Sequence, residues 1–445
     1  MHLNEFGVFS FHTTGRSRAA RRKDIRGLSK AAGQVNNFED DMLRDIHSTS
    51  SRSMQANAPF HEPEKNTGYD FPHAPGSPAP PVCLLKQSYH SAYIGLARSA
   101  SGLRGTPADE PDGTKAPLTA EPTAKEKKRT PPIKKNTLQE EMPHAVRAYD
   151  YAVACVRDIM VSVVQGRFQG GAATEAVHGL VDSLERNIDA LLCLPRLRQR
   201  DAYVYTHCVN VSVLLAAYAL VSGEKRSKVI IYGLAGLFHD IGKALLPVAL
   251  LSARRTLSVT EQTLVMRHPM MGCDLLATLP DLHSEVIMAA LEHHERYDGS
   301  GYPKGIAGDA ISDIGHLTSI ADTYDALSSR RPYKGATLPH KTLGVLYQMR
   351  RKHFHPEIVE RFVRMVGIYP VGSVVELQDG YRGVVTASNY ANPMLPVVTL
   401  ALDSQGGAMC AHECDMAKEA VSGIARCVLT EASGLDPCRA LGIVL

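Results

Sequence analysis

Apolar residues recur at three- and four-residue steps from Leu138 onward, which is the spacing of an amphipathic helix. This first run predicts a helix that Gly166 ends. A second apolar face, over residues 177–191, predicts another helix, which Pro195 ends. We expect these helices, in a lead-in segment of residues 138–200, to cover the core of the region that follows.

Residues 201–367 show the same helical periodicity in segment after segment, with short connections between them. Ser258 and Glu261 have capping-box spacing and open the helix that is predicted to carry His268. Strand-like and helix-like segments do not alternate here, so a parallel sheet is not expected. The pattern predicts an all-α domain.

The period changes after the helical domain, where residues 373–377 and 383–386 have the pattern of strands. Between them, an Asp-Gly pair at 379–380 is a strong hairpin signal. Residues 397–402 predict a third strand. We therefore expect a small β appendage over residues 368–405.

The remaining residues, 406–445, are expected to form a C-terminal tail. Within it, Cys410, His412 and Cys414 have a spacing that zinc sites use. No second ligand pair of suitable spacing accompanies them, so ordinary thiols are the favoured interpretation.

Residues 1–137 differ in composition from the rest of the chain. They carry a basic cluster at 16–23, a proline-rich patch at 71–82, a charged run at 125–135, and only weak periodicity. Such a composition does not offset the entropy of ordering, so we predict a largely disordered, low-complexity region. A basic arm that binds a partner is the alternative to a solvated tail.

The composition is that of a soluble protein with a sizeable core. The chain has 445 residues, of which 44% are hydrophobic and 21% charged, and a net charge of +3 gives no argument for nucleic acid or a membrane surface. Its nine cysteines are scattered, which favours reduced thiols. The longest apolar stretch, residues 211–221, covers about half a membrane span. We expect a cytoplasmic protein.

Candidate chemistry concentrates in the predicted helical domain. It contains seven potential metal ligands: His207, His239, Asp240, His268, His293, His294 and Asp322. Two doublets lie in apolar sequence, where a shared metal would compensate for burying a carboxylate. Adjacent helical residues point about 100° apart, so His239 and Asp240 can bind different metals, or Asp240 can bridge two. Two metals about 3.5–4 Å apart suit phosphoester hydrolysis, so the series predicts a metal-dependent hydrolase.

Further polar residues suit a phosphate substrate. Lys243 lies one helical turn after the first doublet, where it can contact a phosphate oxygen or a departing alkoxide; the alternative is a solvated lysine at a helix end. Asp325, one turn after Asp322, is a candidate for orienting a ligating histidine. Arg331 and Lys334 belong to a compact basic patch that could grip a phosphodiester.

Three stretches together resemble the HD-GYP phosphodiesterases of the HD metal-dependent phosphohydrolase superfamily. They are residues 239–243 (HDIGK), 293–303 (HHERYDGSGYP) and 322–333, within a resemblance that covers residues 207–362. The resemblance implies an all-α HD fold that holds two or three iron or manganese ions. It also implies hydrolysis of the bacterial second messenger cyclic di-GMP to linear pGpG, or further to GMP.

Carried over by position, all seven residues of the ligand series would bind the metals, with Asp240 as the bridge. Lys243 would contact the scissile phosphate during catalysis. The resemblance assigns substrate binding to Tyr302, Arg331 and Lys334. Gly299, Gly301 and Pro303 would shape the loop that places the tyrosine.

One departure from the family changes the expected metal count. Members with a third metal have a Glu one turn before the first ligand histidine, where this chain has Tyr203, so two ions are expected. We expect cyclic di-GMP as the substrate, a second copy of the chain or a diguanylate cyclase as candidate partners, and neither nucleic-acid polymer nor membrane. The alternatives are an HD hydrolase of another cyclic dinucleotide or nucleotide, and a silent binding domain.

Overall fold

The computed structural model describes residues 135–197, 203–251, 253, 255, 257–329 and 338–443, and the backbone of residues 2–3 and 9–10. Strand β1 (His2–Leu3) pairs antiparallel with β2 (Phe9–Ser10). Residues 135–137, the end of the region predicted to be disordered, are described, and Lys135 and Asn136 donate backbone hydrogen bonds to the Arg186 carbonyl. The prediction of disorder for the rest of residues 1–137, and the alternative basic arm, otherwise lie outside the described residues.

Three helices form the lead-in segment: α1 (Leu138–Val164), α2 (Gly171–Arg186) and α3 (Ile188–Leu197). A capping box of Thr137 and Glu140 begins α1, and Gly166, with a φ of +67°, follows its end as predicted. The second predicted helix needs correction, because it divides at Asn187 and Pro195 lies inside α3. Both α2 and α3 pack against α1, so apolar residues keep the same helical spacing on either side of Asn187. The spacing therefore gives no sign that the helix is interrupted there.

The helical domain that follows confirms the all-α prediction. Its helices are α4 (Tyr203–Val221), α5 (Arg226–Phe238), α6 (Val248–Leu251), α7 (Val259–Val265), α8 (His268–Leu276), α9 (Ser284–Glu292), α10 (Asp313–Ser328), α11 (Pro339–Gln348) and α12 (Pro356–Val366). Two 3-10 helices, Ile241–Leu245 and Gly308–Ala310, join them.

The predicted capping box is present, but it opens a shorter helix than expected. Ser258 accepts a hydrogen bond from the Glu261 amide, and the Glu261 side chain accepts one from the Ser258 amide. The helix they begin, α7, ends before His268, which instead starts α8. Met266 and Arg267 form the turn between the two helices, and this turn lets His268 point into the domain.

Helix α4 is the central helix of the domain. Within the described part of the chain, one segment, Val204–Val221, is long and apolar enough to cross a membrane, and 72% of it is buried inside the protein. It packs against α1, α5 and α10, so its apolar character is that of a core helix. It carries His207 near its first turn.

The C-terminal region is a five-stranded antiparallel sheet of order β6-β5-β4-β3-β7. The strands are β3 (Val374–Leu377), β4 (Arg382–Ala387), β5 (Val397–Leu402), β6 (Ala408–Asp415) and β7 (Ile424–Val428). Strands β3 and β4 pair across the predicted Asp-Gly turn, where Gly380 has a φ of +89°. The hairpin and the third strand are therefore confirmed.

The sheet extends beyond residue 405, where the appendage was predicted to end. Both edge strands, β6 and β7, come from the predicted tail, which also holds the short helices α13 (Thr430–Ser433) and α14 (Pro437–Ala440). Strand β6 is exposed along most of its length, so it lacks the alternating apolar pattern that marks a half-buried strand. Among the described residues, Cys410, His412 and Cys414 do not form a metal-ligand cluster.

Candidate metal centre

The seven predicted ligands lie together in two groups in the middle of the helical domain. One group is Asp240, His268, His293 and His294; the other is His207, His239 and Asp322. Within each group, the potential ligand atoms lie within 4.8 Å of one another. Helices α4, α5, α8, α9 and α10 each bring at least one ligand to the centre or end next to one, so the centre depends on the packing of five helices.

Asp240 lies between the two groups and presents one carboxylate oxygen to each. Its Oδ1 is 3.3 Å from Nε2 of His268 and 3.5 Å from Nε2 of His293. Its Oδ2 is 3.4 Å from Nε2 of His239 and 3.7 Å from Nε2 of His207. This is the arrangement that a carboxylate bridging two metal ions requires.

Three of the imidazoles are oriented by backbone carbonyl groups of the turn that precedes them. The Nδ1 atoms of His239, His268 and His293 lie 2.7, 2.8 and 2.9 Å from the carbonyl oxygens three residues earlier in the chain. A carbonyl only accepts hydrogen bonds, so each Nδ1 carries the proton and each Nε2 has its lone pair toward the centre. This is the tautomer that a metal ligand needs.

His207 is oriented by a carboxylate on α10. Its Nδ1 lies 2.7 Å from Oδ2 of Asp325, while its Nε2 lies 3.0 Å from Oδ1 of Asp322. Asp322 and Asp325 are one turn apart and therefore reach opposite nitrogens of the same ring. The structure thus places Asp325 where the sequence suggested that a histidine-orienting carboxylate would lie.

The electrostatics of the centre suit a bound cation. Burial lowers the pKa of His239 to about 3, so its imidazole is neutral. Burial by itself would also lower the pKa of His207, but hydrogen bonds to Asp322 and Asp325 raise it to about 9. Although burial opposes ionisation of Asp240, the Lys243 ammonium group holds the pKa of that carboxyl well below its usual range. The carboxylates of the centre therefore stabilise positive charge next to them, beside the neutral imidazole of His239.

Nε2 of His239 and Oδ1 of Asp240 are buried in the centre and lack a hydrogen-bond partner among the described residues. Leaving such atoms unsatisfied is costly unless something else binds them. Their position between the two ligand groups fits metal ions, and the mixture of imidazole and carboxylate donors is typical of first-row transition metals.

Lys243 lies beside the Asp240 carboxylate. Its Nζ donates a hydrogen bond of 2.7 Å to Oδ2 of Asp240, and its side chain is 15% exposed. The short 3-10 helix Ile241–Leu245 begins directly after Asp240 and turns the lysine back toward the carboxylate. The alternative of a fully solvated lysine at a helix end does not describe this geometry.

The glycine-rich loop after α9 folds back onto the ligand His294. A Cβ on Gly301 would lie 2.4 Å from the Arg296 amide nitrogen and 2.5 Å from the His294 carbonyl oxygen, so only glycine fits there. The Tyr302 ring stacks on the His294 ring, with centroids 4.7 Å apart and planes 22° apart, and the Tyr302–Pro303 peptide is cis. A half-buried aromatic ring therefore borders the centre.

An alanine at Gly242 is expected to disrupt the centre. The added Cβ would lie 2.0 Å from the His268 carbonyl oxygen and 2.6 Å from the Gly272 amide nitrogen, both backbone atoms. Relieving that overlap should destabilise the protein by about 3 kcal/mol and displace His268. Thermal melts with and without Mn²⁺ measure both effects. Gly171→Ala, with open space around the added carbon, is the matched control; an equal melting temperature for both variants would contradict the prediction.

Three residues of interest lie outside the described part of the chain. They are Arg331, Lys334 and the side chain of Tyr203. Their predicted roles stay predictions. Conversely, the sequence reading missed Glu295, whose Oε1 accepts a hydrogen bond of 2.7 Å from the Lys304 amide and holds the far end of the loop. Asn210, which donates a hydrogen bond of 2.8 Å to Oδ1 of Asp325, was also not predicted. Its position one helical turn after His207 could have indicated that it lies beside this histidine.

Comparisons with known proteins agree with this site. Residues 191–358 match the family model described as HD domain. The chain is 36% identical over 262 residues to cyclic di-GMP phosphodiesterase PA4108 of Pseudomonas aeruginosa, a match covering 59% of this chain and 63% of that protein. It is 35% identical over 182 residues to the cyclic di-GMP phosphodiesterase response regulator RpfG of Xanthomonas campestris, covering 40% and 48%. Residues 191–358 are therefore similar to HD domains, and the predicted resemblance to HD-GYP phosphodiesterases is confirmed.

The name of a third relative specifies a different cyclic dinucleotide. It is the 3'3'-cGAMP-specific phosphodiesterase 2 of Vibrio cholerae, 29% identical over 195 residues, which cover 43% of this chain and 37% of that protein. The chain spans less than two thirds of each of these three relatives.

Proposed function

We propose that this protein is a metal-dependent phosphodiesterase that hydrolyses cyclic di-GMP, with residues 201–367 as its catalytic domain. The observation that carries the proposal is the position of Asp240, whose two carboxylate oxygens face separate groups of imidazoles. The names of two relatives supply the substrate.

The two ligand groups would hold two divalent ions, iron or manganese, with Asp240 shared between them. When bound, such ions supply a hydroxide nucleophile at neutral pH and neutralise charge on the phosphoryl oxygens. The described residues contain two groups of potential metal ligands, and Tyr203 stands in place of a glutamate. Both observations support two metal ions rather than three.

Hydrolysis adds one water across a P–O3′ bond of the cyclic dinucleotide, which leaves a 5′-phosphate on one nucleotide and a 3′-hydroxyl on the other. Attack at phosphorus places negative charge on the phosphoryl oxygens and then on the departing O3′. The Lys243 ammonium group lies at the bridging carboxylate, where it can donate a hydrogen bond to one of these oxygens. The linear product is pGpG, and a second round would give GMP.

Tyr302 and the basic patch are the proposed substrate contacts. The Tyr302 ring borders the centre on the side of His294 and offers a flat apolar face, which suits a guanine base or the sugar beside it. Arg331 and Lys334 are proposed to bind the second phosphate of the ring.

We also place the protein in the cytoplasm, with a second copy or a diguanylate cyclase as candidate partners. The eight described cysteines are free thiols, which supports a reducing compartment.

Two other functions compete with the leading one. A phosphodiesterase selective for 3'3'-cGAMP is favoured by the name of the Vibrio cholerae relative. A silent domain that binds cyclic di-GMP without turnover is the other; the presence of all seven ligands in the centre argues against it.

A direct assay distinguishes the three functions. The full chain is purified anaerobically, loaded with Mn²⁺ or Fe²⁺, and given cyclic di-GMP or 3'3'-cGAMP. The linear dinucleotide and the mononucleotides that each substrate yields are followed by chromatography. We expect pGpG from cyclic di-GMP, metal-dependent and abolished by a chelator. Faster hydrolysis of 3'3'-cGAMP would support the first alternative, and tight binding without product the second. If the metal-loaded protein neither binds nor hydrolyses either cyclic dinucleotide, the proposal is overturned.

A further inference from the structure

A chain of buried hydrogen bonds leads from the metal centre to a residue outside the HD domain. His207 donates from Nδ1 to Oδ2 of Asp325 at 2.7 Å. The other oxygen of that carboxylate accepts two hydrogen bonds, from Nδ2 of Asn210 at 2.8 Å and from the Ser329 hydroxyl at 2.9 Å. Asp325 is therefore held in place by donors on α4 and at the end of α10.

The chain continues from Asn210 to the lead-in segment. The Tyr149 hydroxyl, on α1, donates a hydrogen bond of 2.7 Å to Oδ1 of Asn210. Tyr149 is 3% exposed and Asn210 is 5% exposed, so water does not readily replace this bond. With its oxygen occupied by the tyrosine, the Asn210 amide presents its NH₂ group to Asp325, which is the only favourable orientation toward a carboxylate.

We propose that Tyr149 is a positioning residue for the metal ligand His207, acting through Asn210 and Asp325. The proposal rests on the proposed function, since it needs the metal centre to exist. Tyr149 lies 42 residues before the first residue of the HD family match, 191 minus 149. The hydrogen-bond chain behind His207 therefore begins on a helix that precedes the HD family match.

The physical reason is the precision that a metal ligand requires. Partners behind a ligating histidine fix its tautomer and ring orientation, and losing one weakens metal binding by about 10-fold to 100-fold. Removing the Tyr149 hydroxyl leaves Oδ1 of Asn210 buried without its donor, so the amide is free to rotate and its bond to Asp325 weakens. Since Tyr149 acts through two intermediaries, the lower end of that range, about tenfold, is expected.

The test compares two tyrosines on the same helix. Tyr149→Phe removes the buried hydroxyl, whereas Tyr151→Phe removes one that bonds Glu175 at the surface, where Tyr151 is 47% exposed. Titration calorimetry measures the binding of Mn²⁺ to the metal-free full chain. Tyr149→Phe should bind Mn²⁺ about tenfold more weakly than wild type, and Tyr151→Phe should bind it with wild-type affinity. Turnover at saturating Mn²⁺ should return to within about twofold of wild type, because metal in excess restores occupancy.

Two further variants separate positioning from general stability. Val156→Ala, in the buried face of α1 away from the hydrogen-bond chain, should lower the melting temperature while keeping wild-type Mn²⁺ affinity. Asn210→Ala breaks the chain on α4 and should weaken Mn²⁺ binding even if Tyr149→Phe fails to fold. The inference would be overturned if Tyr149→Phe and Asn210→Ala both bound Mn²⁺ as tightly as wild type. It would also be overturned if Val156→Ala lost as much Mn²⁺ affinity as they do. Either result would leave the proposed function intact. Failure of wild type to bind Mn²⁺ would overturn the proposed function as well.

Discussion

An Asp240→Ala variant is expected to lose both bound metal ions and, with them, phosphodiesterase activity. Asp240 is 2% exposed and faces both ligand groups, with Oδ1 toward His268 and Oδ2 toward His239. Without it, the first ligand group loses its carboxylate, and the second loses the Asp240 Oδ2 atom that faces it. Metal catalysis stabilises the transition state by several kcal/mol, so kcat/KM should fall by about 10³-fold or more.

Metal content and thermal melts test this prediction independently of turnover. Mn²⁺ should raise the melting temperature of the wild type, because it binds the folded state, and should leave that of Asp240→Ala unchanged. Asp240→Asn keeps the side-chain shape but removes one ligating oxygen and the charge, so it should also fail to hold two ions. Asp158→Ala, at a carboxylate that is 72% exposed on α1, is the matched control. Normal turnover by Asp240→Ala would disprove the metal assignment.

A Lys243→Met variant should keep both metal ions but lose most of its turnover. The ammonium group lies 2.7 Å from Oδ2 of Asp240 and is not itself a metal donor, since a charged lysine has no lone pair to offer. Its proposed role is to donate a hydrogen bond to an oxygen that gains negative charge during the reaction. Loss of one such donor lowers kcat by about 10²-fold to 10³-fold. Methionine keeps an unbranched side chain as far as Cε and lacks only the position of the ammonium group, so packing changes little.

The decisive comparison is between kcat and metal retention. Steady-state kinetics should show the loss in kcat, with Mn²⁺ content and the Mn²⁺-dependent rise in melting temperature preserved. Lys341→Met, at an exposed lysine on α11, should behave as wild type. If Lys243→Met loses its metal, the lysine serves as a counter-charge for the ligand Asp240 rather than as a catalytic group; unchanged kcat would exclude both roles.

Helical periodicity predicted most of the domain, and its failures have a common cause. The break at Asn187 and the turn before His268 both join helices that continue to bury one face in the same core. An apolar period reports which face is buried, but not where the backbone turns between two segments with the same burial. The missed strands β6 and β7 are sheet edges, where exposure removes the alternation that a prediction needs.

The second set of contacts around the metal centre was harder to foresee than the ligands. Asp325 could be suggested because it lies one helical turn from Asp322, and local spacing determines which helical residues share a face. Tyr149 had no such signal, because 61 positions separate it from Asn210. A tyrosine in an amphipathic helix has the same sequence pattern whether its hydroxyl reaches solvent or a buried amide.

The sequence alone was enough to predict the chemistry of the candidate centre. Seven imidazoles and carboxylates in a fixed order predict a transition-metal site because donor type sets metal preference, and the HDIGK and HHERYDGSGYP stretches carry the resemblance that implies phosphoester hydrolysis. Only the tertiary structure decided that Asp240 directs one oxygen to each ligand group, and that the support of His207 begins on α1. Helical spacing fixes neighbours within one turn, whereas the meeting of side chains from separate helices depends on how those helices pack.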